Sequence, residues 1–395
     1  MKNGILKQLV KQHEDQAGGN IREAYDQAAN RIGALIDEGK ISTKDFSFRQ
    51  MFEELVDVPL SADVTQVAEA LNTSAFPTFA STILHKDIIK EYEAQVAAYE
   101  TLVSESKARL TTREKIGGFE AMDNEPQMRP EAMAYEETAF GEKFWEVIMA
   151  DFGRMISVTR ETIYEDHTNE VMNRARNIGR AAGQHKARMI IQTLECLPRT
   201  AFNETAFQGA IYKGTALNQA AMYSDDHSAI DGVVNDNLAA NNALATYQNI
   251  DNAMRLFADM VDEGGNKINI TPSILLVPRA LAVTAYNIMN TTTYMFSGGD
   301  ATSSAEPSMN PTLNPIRALG NFQVIDTTYL GDNTTWYLGE PRDQMKWLTV
   351  YPPATASQGA NSELAFTNQI VARFRFSYHG GVGHSDYRHI VRNTA

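Results

Sequence analysis

The chain has a single cysteine, Cys196, among 395 residues. Internal disulfides are thereby excluded, and the setting between Leu194 and Leu197 reads as a buried structural thiol. Long apolar runs are also missing. The most apolar stretch, Ile274 to Val283, contains Pro278 and Arg279 and is too short to span a bilayer. Charges interrupt MKNGILKQLVKQHEDQ, so no N-terminal signal is expected, and the sequence reads as a soluble protein made in a reducing cytoplasm. Cations are in deficit: 35 Lys and Arg stand against 49 Asp and Glu, a net charge of −14. Binding phosphates requires cations to neutralise them, so this balance argues against a DNA-binding protein as such. A container with an acidic wall, along which DNA slides, remains compatible with it. An acidic surface is also ordinary for a soluble protein.

Signatures of chemistry are absent too. The sequence holds no G-x-x-x-x-G-K-[ST], H-E-x-x-H, G-x-S-x-G or C-x-x-C. Gly380 to Gly383 lacks dinucleotide-binding spacing and opens no helix, so it reads as a tight strand-end turn. His379, His384 and His389 with Asp386 are metal-ligand types. Their strand-and-tail setting favours ordinary hydrogen-bonding histidines. Asp225, Asp226, His227 and Asp231 lack calcium-loop spacing, and Glu136-Glu137 and Glu165-Asp166 have no assignable partner for acid–base work. No catalytic residue, cofactor or metal is expected.

What the chain does have is periodicity, and with 43% hydrophobic residues it can build two or three domains. Residues 1–105 read as helices. Ile21, Ala24, Ala28, Ile32 and Leu35 make one apolar stripe, with Asn20 and Glu23 at capping-box spacing and Gly39 closing the end. Ser47 and Ser61 would cap short helices at Phe48–Val56 and Ala62–Leu71. A longer helix follows Ser74-Ala75-Phe76-Pro77, through Ile83, Ile88, Tyr92, Val96 and Tyr99. Residues 107–119 and Glu142 to Met149 alternate with period two and can pair as a long hairpin. Its tip, Asp123 to Met133, contains Pro126 and Pro130, which forbid ladder hydrogen bonds. An isolated two-stranded ribbon is marginal in water. Met122, Met128 and Met133, with Arg129 and Tyr135, are therefore candidates for contact with a neighbouring surface, the alternative being a loop packed on its own domain.

From Asn169 to Glu195 the spacing turns helical, with Val171, Ala175, Ile178, Ala182, His185 and Met189 on one stripe. Asp166, Thr168 or Asn169 would cap it and Pro198 stop it. At about 1.5 Å per residue the helix is roughly 40 Å long. Arg174, Arg176, Arg180, Lys186 and Arg188 lie on it with no acid among them. They read as ion-pair donors to acidic arms or hairpins of neighbouring subunits, as a solvated face, or as a DNA-facing surface. Gly179 and Gly183 weaken the helix by about 1 kcal/mol each, which is tolerable where another backbone approaches closely. Later come a helix through Leu244, Ile250 and Phe257, a buried strand from Ile268 to Pro278, a helix through Ala285 and Ile288, and an exposed loop over Thr291 to Asn314. Strands follow at Phe322–Asp326, Thr335–Leu338 and Met345–Tyr351, with a last long one at Leu364–Tyr378.

The long strand, then R-M-I-S-V-T-R-E-T-I, then the Arg/Ala/Gly helix resembles the tailed-phage major capsid proteins of the Hong Kong 97-type fold, closest to the Mu-like major head subunits. The helix, glycine turn, I-x-I-T-P-x-x-L-L-V-P and helix resemble their axial domain, and the closing YHGGVGHSDYRHIVRN resembles their last segment. The resemblance covers roughly residues 75–395. It implies an α+β fold with a helical N-terminal extension and arm (1–105) and an extended hairpin, the E-loop (106–155). The P-domain, with the long spine helix, would take 156–200 and about 363–378. The A-domain, a mixed sheet with flanking helices, would take 201–362 and about 379–395. It further implies a non-enzymatic head protein of a tailed double-stranded DNA phage, assembling through hexamers and pentamers into an icosahedral shell in the host bacterial cytoplasm. The implied partners are itself, a portal, scaffolding or decoration proteins and enclosed DNA, with no membrane. An encapsulin-like compartment shell or an α+β soluble enzyme are the alternatives.

Overall fold

A computed structural model describes residues 5–14, 21–42, 48–56, 75–121, 140–159, 161–162, 170–195, 222–228, 234–262, 265–297, 309–316, 322–359 and 370–395. The first half holds α1 (Ile5–Glu14), α2 (Ile21–Asp37), α3 (Phe48–Leu55), α4 (Phe76–Glu100), β1 (Ser104–Lys107), β2 (Arg113–Ala121), β3 (Phe140–Ile148), β4 (Ala150–Thr159) and α5 (Glu170–Glu195). Then come β5 (His227–Ser228), β6 (Val234–Asn235), β7 (Leu238–Ala239), α6 (Tyr247–Asp259), β8 (Ile274–Pro278) and α7 (Ala282–Asn290). The chain continues through β9 (Thr293–Ser297), β10 (Met309–Leu313), β11 (Gln323–Thr327), β12 (Trp336–Gly339), α8 (Pro341–Gln344), β13 (Met345–Gly359), β14 (Ile370–His384) and β15 (Ile390–Asn393). The class is α+β, as the periodicities indicate. The chain divides into two compact units, Met1–Ala97 with Ala150–Ala187 and Tyr351–Gly380, and Ala98–Met149 with Arg188–Val350 and Gly381–Ala395.

In the first unit, α2 buries Ala24, Ala28 and Ile32 as its stripe requires, and Gly39 at φ +70° lets Lys40 N–H reach back to the Leu35 carbonyl. Ile21 departs from the expected stripe. It sits in the first turn and is exposed. The α4 helix is buried on most sides through Phe79, Ala80, Ile83, Leu84, Ile88, Tyr92 and Val96. Strand β4 pairs antiparallel with Ile370–Gly380 of β14. Ala372, Phe374, Phe376 and Tyr378 of β14 point into this core, where Tyr92 of α4 and Phe152 of β4 meet Tyr378 at ring-centroid distances of 5.9 and 5.4 Å. The Ala62–Leu71 helix and the caps at Asn20, Ser47, Ser61 and 166–169 fall outside the described residues.

The second unit is built on a five-stranded mixed sheet of order β11-β8-β12-β15-β7. Strand β8, between β11 and β12, is the apolar run ILLVP, buried at every residue, as a strand covered on both faces must be. Leu275, Val277, Trp336, Leu338 and Val391 of the sheet pack with Ile250, Ala253 and Phe257 of α6 and Ala285 and Ile288 of α7. The Trp336 indole N–H donates to the Asn242 carbonyl at 2.8 Å, satisfying the one polar atom of that buried ring. Strand β8 is shorter than expected, since residues 268–273 have no strand geometry. One sequence expectation is corrected here: the Thr291–Asn314 loop contains a hairpin, β9 pairing with β10. The closing tail ends in β15, which lies between β12 and β7.

Candidate assembly surfaces

Helix α5 and helix α4 run parallel in contact. Arg180 pairs with Glu91 and Gln184 with Gln95, each pair 89 residues apart. Arg176 Nε lies 2.6 Å from Asp87 Oδ2, a pair whose side chains are only 11% and 5% exposed. Close approach is possible because α5 has glycine where the helices touch. A Cβ on Gly179 would fall 2.5 Å from the Ile88 carbonyl oxygen, and one on Gly183 would fall 2.7 Å from that of Tyr92. The expectation that another backbone lies against these two glycines is met, and the backbone is that of α4.

A contrast within the same unit tests this. Replacing a mid-helix glycine by alanine gains about 1 kcal/mol of helix propensity. At Gly33 in α2 the new methyl would meet Lys86 and Thr82 side chains at an ordinary 3.5 Å, so Gly33→Ala is expected to stabilise. At Gly179 the methyl meets backbone that cannot rotate away, and overpacking costs about 1–3 kcal/mol. Gly179→Ala is therefore expected to destabilise, and denaturant titration of the dispersed subunit reads both signs.

The other candidate cations also have partners within the chain. Arg174 pairs with Glu170 one turn earlier, Lys186 lies 6.0 Å from the Tyr92 ring centroid, and Arg188 lies 5.7 Å from that of Tyr329. The candidates on the hairpin, Met122, Pro126, Met128, Arg129, Pro130, Met133 and Tyr135, lie outside the described residues, as does Cys196.

The hairpin itself is present. Strands β2 and β3 pair antiparallel from Arg113↔Ile148 to Ala121↔Phe140 and form a two-stranded sheet of their own. The expected strand start at 107 is corrected: β1 instead pairs parallel with Lys346–Thr349 of β13, and Leu110 is exposed in the bend before β2. Ile116, Val147, Met149 and Leu348 form a small buried cluster at the hairpin's base. The Gly380–Gly383 segment is not a turn but part of β14. A Cβ on Gly381 would collide with the Ile148 carbonyl, and one on Gly383 with the Val147 side chain. Glycine there lets the base of the hairpin lie against the strand.

The C-terminal histidines do not converge. His384 is buried, with Nε2 2.8 Å from the Thr193 carbonyl and Nδ1 3.4 Å from the Gln344 amide. This is the neutral Nε2–H tautomer, donating to the carbonyl and accepting from the amide. Burial pushes its pKa down to about 4. As pH falls below roughly 6.5 the unfolded chain takes up the proton first, so stability from this residue is full above that pH and declines towards pH 4 by up to about 3 kcal/mol. Burial also lowers His85 and His227, so the three act in the same direction. Acid titration of unfolding free energy should show this slope, and His384→Gln should flatten it. Among the described residues no three His, Cys, Asp or Glu side chains are grouped to hold a metal, and no helix is long and apolar enough to cross a membrane.

The other face of the β4–β14 pair was not singled out by the sequence reading, although R-F-R-F-S-Y-H in β14 alternates plainly. Arg373 and Arg375 point away from the aromatic core, Arg375 opposite Met155 and Arg373 opposite Ser157. Met155 is 57% and Tyr351 62% exposed.

The family described as "Phage capsid protein" matches residues 146–393. The chain belongs to that family. It is a phage capsid protein, a structural subunit of the virion shell and not an enzyme. The capsid of cyanophage P-SCSP1u is similar at 9% identity and TM-score 0.47, over 75% of this chain and 87% of that one. The capsid of a native GTA particle is similar at 11% identity and TM-score 0.46, over 76% and 90%. A holo-SrpI encapsulin complex from Synechococcus elongatus is similar at 10% identity and TM-score 0.40, over 75% and 86%. No curated protein matches.

Proposed function

We propose that this capsid protein assembles through hexamers and pentamers into an icosahedral shell of the Hong Kong 97 type around double-stranded DNA. The observation that carries the reading is the β2–β3 ribbon. It is a two-stranded sheet whose described buried cluster lies at its base, an arrangement too weak to stand alone in water and suited to lying on a neighbour. The hairpin is the E-loop, the unit containing β4 and most of α5 corresponds to the P-domain, and the mixed five-stranded sheet corresponds to the A-domain. Met122, Pro126, Met128, Arg129, Pro130, Met133 and Tyr135 make the neighbour contact. Repetition by symmetry turns modest interfaces into a closed container. Assembly takes place in the host bacterial cytoplasm, with a portal and scaffolding or decoration proteins as further partners. DNA is enclosed, not recognised by sequence, in keeping with the net charge of −14.

Electron microscopy of purified particles with nuclease-protected nucleic acid measured alongside is the direct test. Closed icosahedral particles that protect double-stranded DNA are expected. Shells empty of nucleic acid and loaded with an enzyme would replace this reading with an encapsulin-like compartment, and a dispersed monomer would end both.

A further inference from the structure

We infer that Gln344 and His384 form a proton-operated latch at the end of β14, in which the Gln344 amide turns over when His384 takes up a proton, so that the imidazole keeps two partners in either charge state. The inference is independent of the shell reading and concerns the second unit alone.

The latch joins three elements. His384 closes β14, Gln344 ends α8, and Thr193 lies in the last turn of α5. All three side chains are buried. His384 Nε2 lies 2.8 Å from the Thr193 carbonyl oxygen, so Nε2 carries a hydrogen and donates it there. In the neutral imidazole Nδ1 is then an acceptor, and the group facing it is the Gln344 amide nitrogen at 3.4 Å. That nitrogen also lies 3.6 Å from Met222 Sδ, a weak acceptor. The orientation of the amide follows from this network. Its oxygen, Gln344 Oε1, is buried and accepts no hydrogen bond.

A buried amide oxygen without a donor costs stability. Here it is also the atom that a charged His384 needs. An imidazolium donates from both nitrogens, and Nδ1–H would face the amide nitrogen, another donor. Half a turn about the last side-chain bond puts Oε1 opposite Nδ1 instead. The backbone does not have to move for this. The Ser385 N–H donates to the Gln344 carbonyl at 2.7 Å and the Ser385 hydroxyl lies 3.1 Å from the same oxygen, which pins α8 to the end of β14. The turned amide leaves its own N–H groups short of acceptors, so the turned state belongs to acid. Burial holds the imidazole neutral down to about pH 4, opposed only by the Thr193 carbonyl. Charged groups on the surrounding elements are engaged elsewhere. Glu195 of α5 accepts from the Gly331 N–H, Asp386 beyond β14 pairs with Arg388 and faces His389, and Arg342 and Asp343 of α8 are exposed.

NMR of the full-length chain, labelled at the histidine rings and titrated from about pH 7 to about pH 3, tests the latch. Above the midpoint His384 should report the Nε2–H tautomer, and below it an imidazolium in a chain that is still folded. Gln344→Met removes the oxygen that only the charged form uses, so the proton affinity of His384 should fall about tenfold or more. Met222→Leu removes the sulfur that only the neutral arrangement uses, so the affinity should rise, by about twofold or more. A merely structural role would not move the two midpoints in opposite directions. Stability follows the same sign. The folded midpoint lies below that of the unfolded chain, so what His384 contributes is lost as pH falls from roughly 6.5. That loss should level off near the midpoint in the unsubstituted chain and continue to lower pH in Gln344→Met. Midpoints that stay put, or that move together, would overturn the inference. So would an Nδ1–H tautomer above the midpoint, or unfolding of the unsubstituted chain before His384 is protonated, since no folded state would then hold the turned amide. Should Gln344→Met not fold, the tautomer and Met222→Leu still decide.

Discussion

Arg176→Met should cost the subunit about 3–5 kcal/mol, because it strands Asp87 as a buried carboxylate without its counter-charge. The size follows from burial. Removing one member of a buried pair leaves the other's charge uncompensated where water is excluded, which is worse than never having had the pair. Replacing both with apolar side chains, Arg176→Met with Asp87→Leu, should therefore recover most of the loss. The neighbouring Arg180–Glu91 pair has the same spacing but is 50% and 24% exposed. Solvent screens it, and Arg180→Met should leave stability nearly unchanged. Equilibrium denaturation of the dispersed subunit measures all three. A double variant no more stable than Arg176→Met would show that Asp87 holds α4 by something other than that ion pair.

These two arginines show where sequence reading reaches its limit. Their helix was legible, since the 3.6-residue stripe over Val171, Ala175 and Ile178 is a local property that tertiary structure had no reason to override. The need for a close neighbour at Gly179 and Gly183 was legible for the same reason. The identity of that neighbour was not, because a pairing across 89 residues leaves no local trace. Acid-free spacing along α5 read as ion pairing to neighbouring subunits, as a solvated face or as a DNA-facing surface, and carboxylates of α4 were not among those readings. The pairing of the two hairpin strands was legible because both segments alternate with period two, but their register, from Arg113↔Ile148 to Ala121↔Phe140, was not, since alternation fixes only the face a residue lies on. The β9–β10 hairpin was hidden by the Ser/Gly/Asn/Thr-rich composition of the run and by Pro311, which has no N–H to donate and is tolerated in a strand only where its nitrogen faces away from the ladder. Glycine is depleted from strands, so Gly380 to Gly383 read as a turn. In the folded chain those glycines make room for Val147 and Ile148.

Replacing Phe119 through Phe140 with a short Gly/Ser turn should abolish closed shells while leaving the subunit folded. The cluster that anchors the hairpin, Ile116, Val147, Met149 and Leu348, lies outside the deletion, and so do the ladder pairs from Arg113↔Ile148 to Gly118↔Lys143. The shortened ribbon therefore keeps its base. What it loses is Met122, Met128, Met133, Tyr135 and both tip prolines. Fully burying one such side chain against a neighbour contributes about 1.5–3 kcal/mol before ordering costs. Four per copy, repeated around every capsomer, exceed what the remaining contacts can replace if the tip is an intermolecular element. The dispersed variant should show near-native circular dichroism, and light scattering should show no closed particles, or particles that melt well below the unsubstituted ones. An unfolded subunit would mean that residues 119–140 pack on their own chain. The ribbon would then be part of the fold, and the proposal that it bridges copies would fail with it.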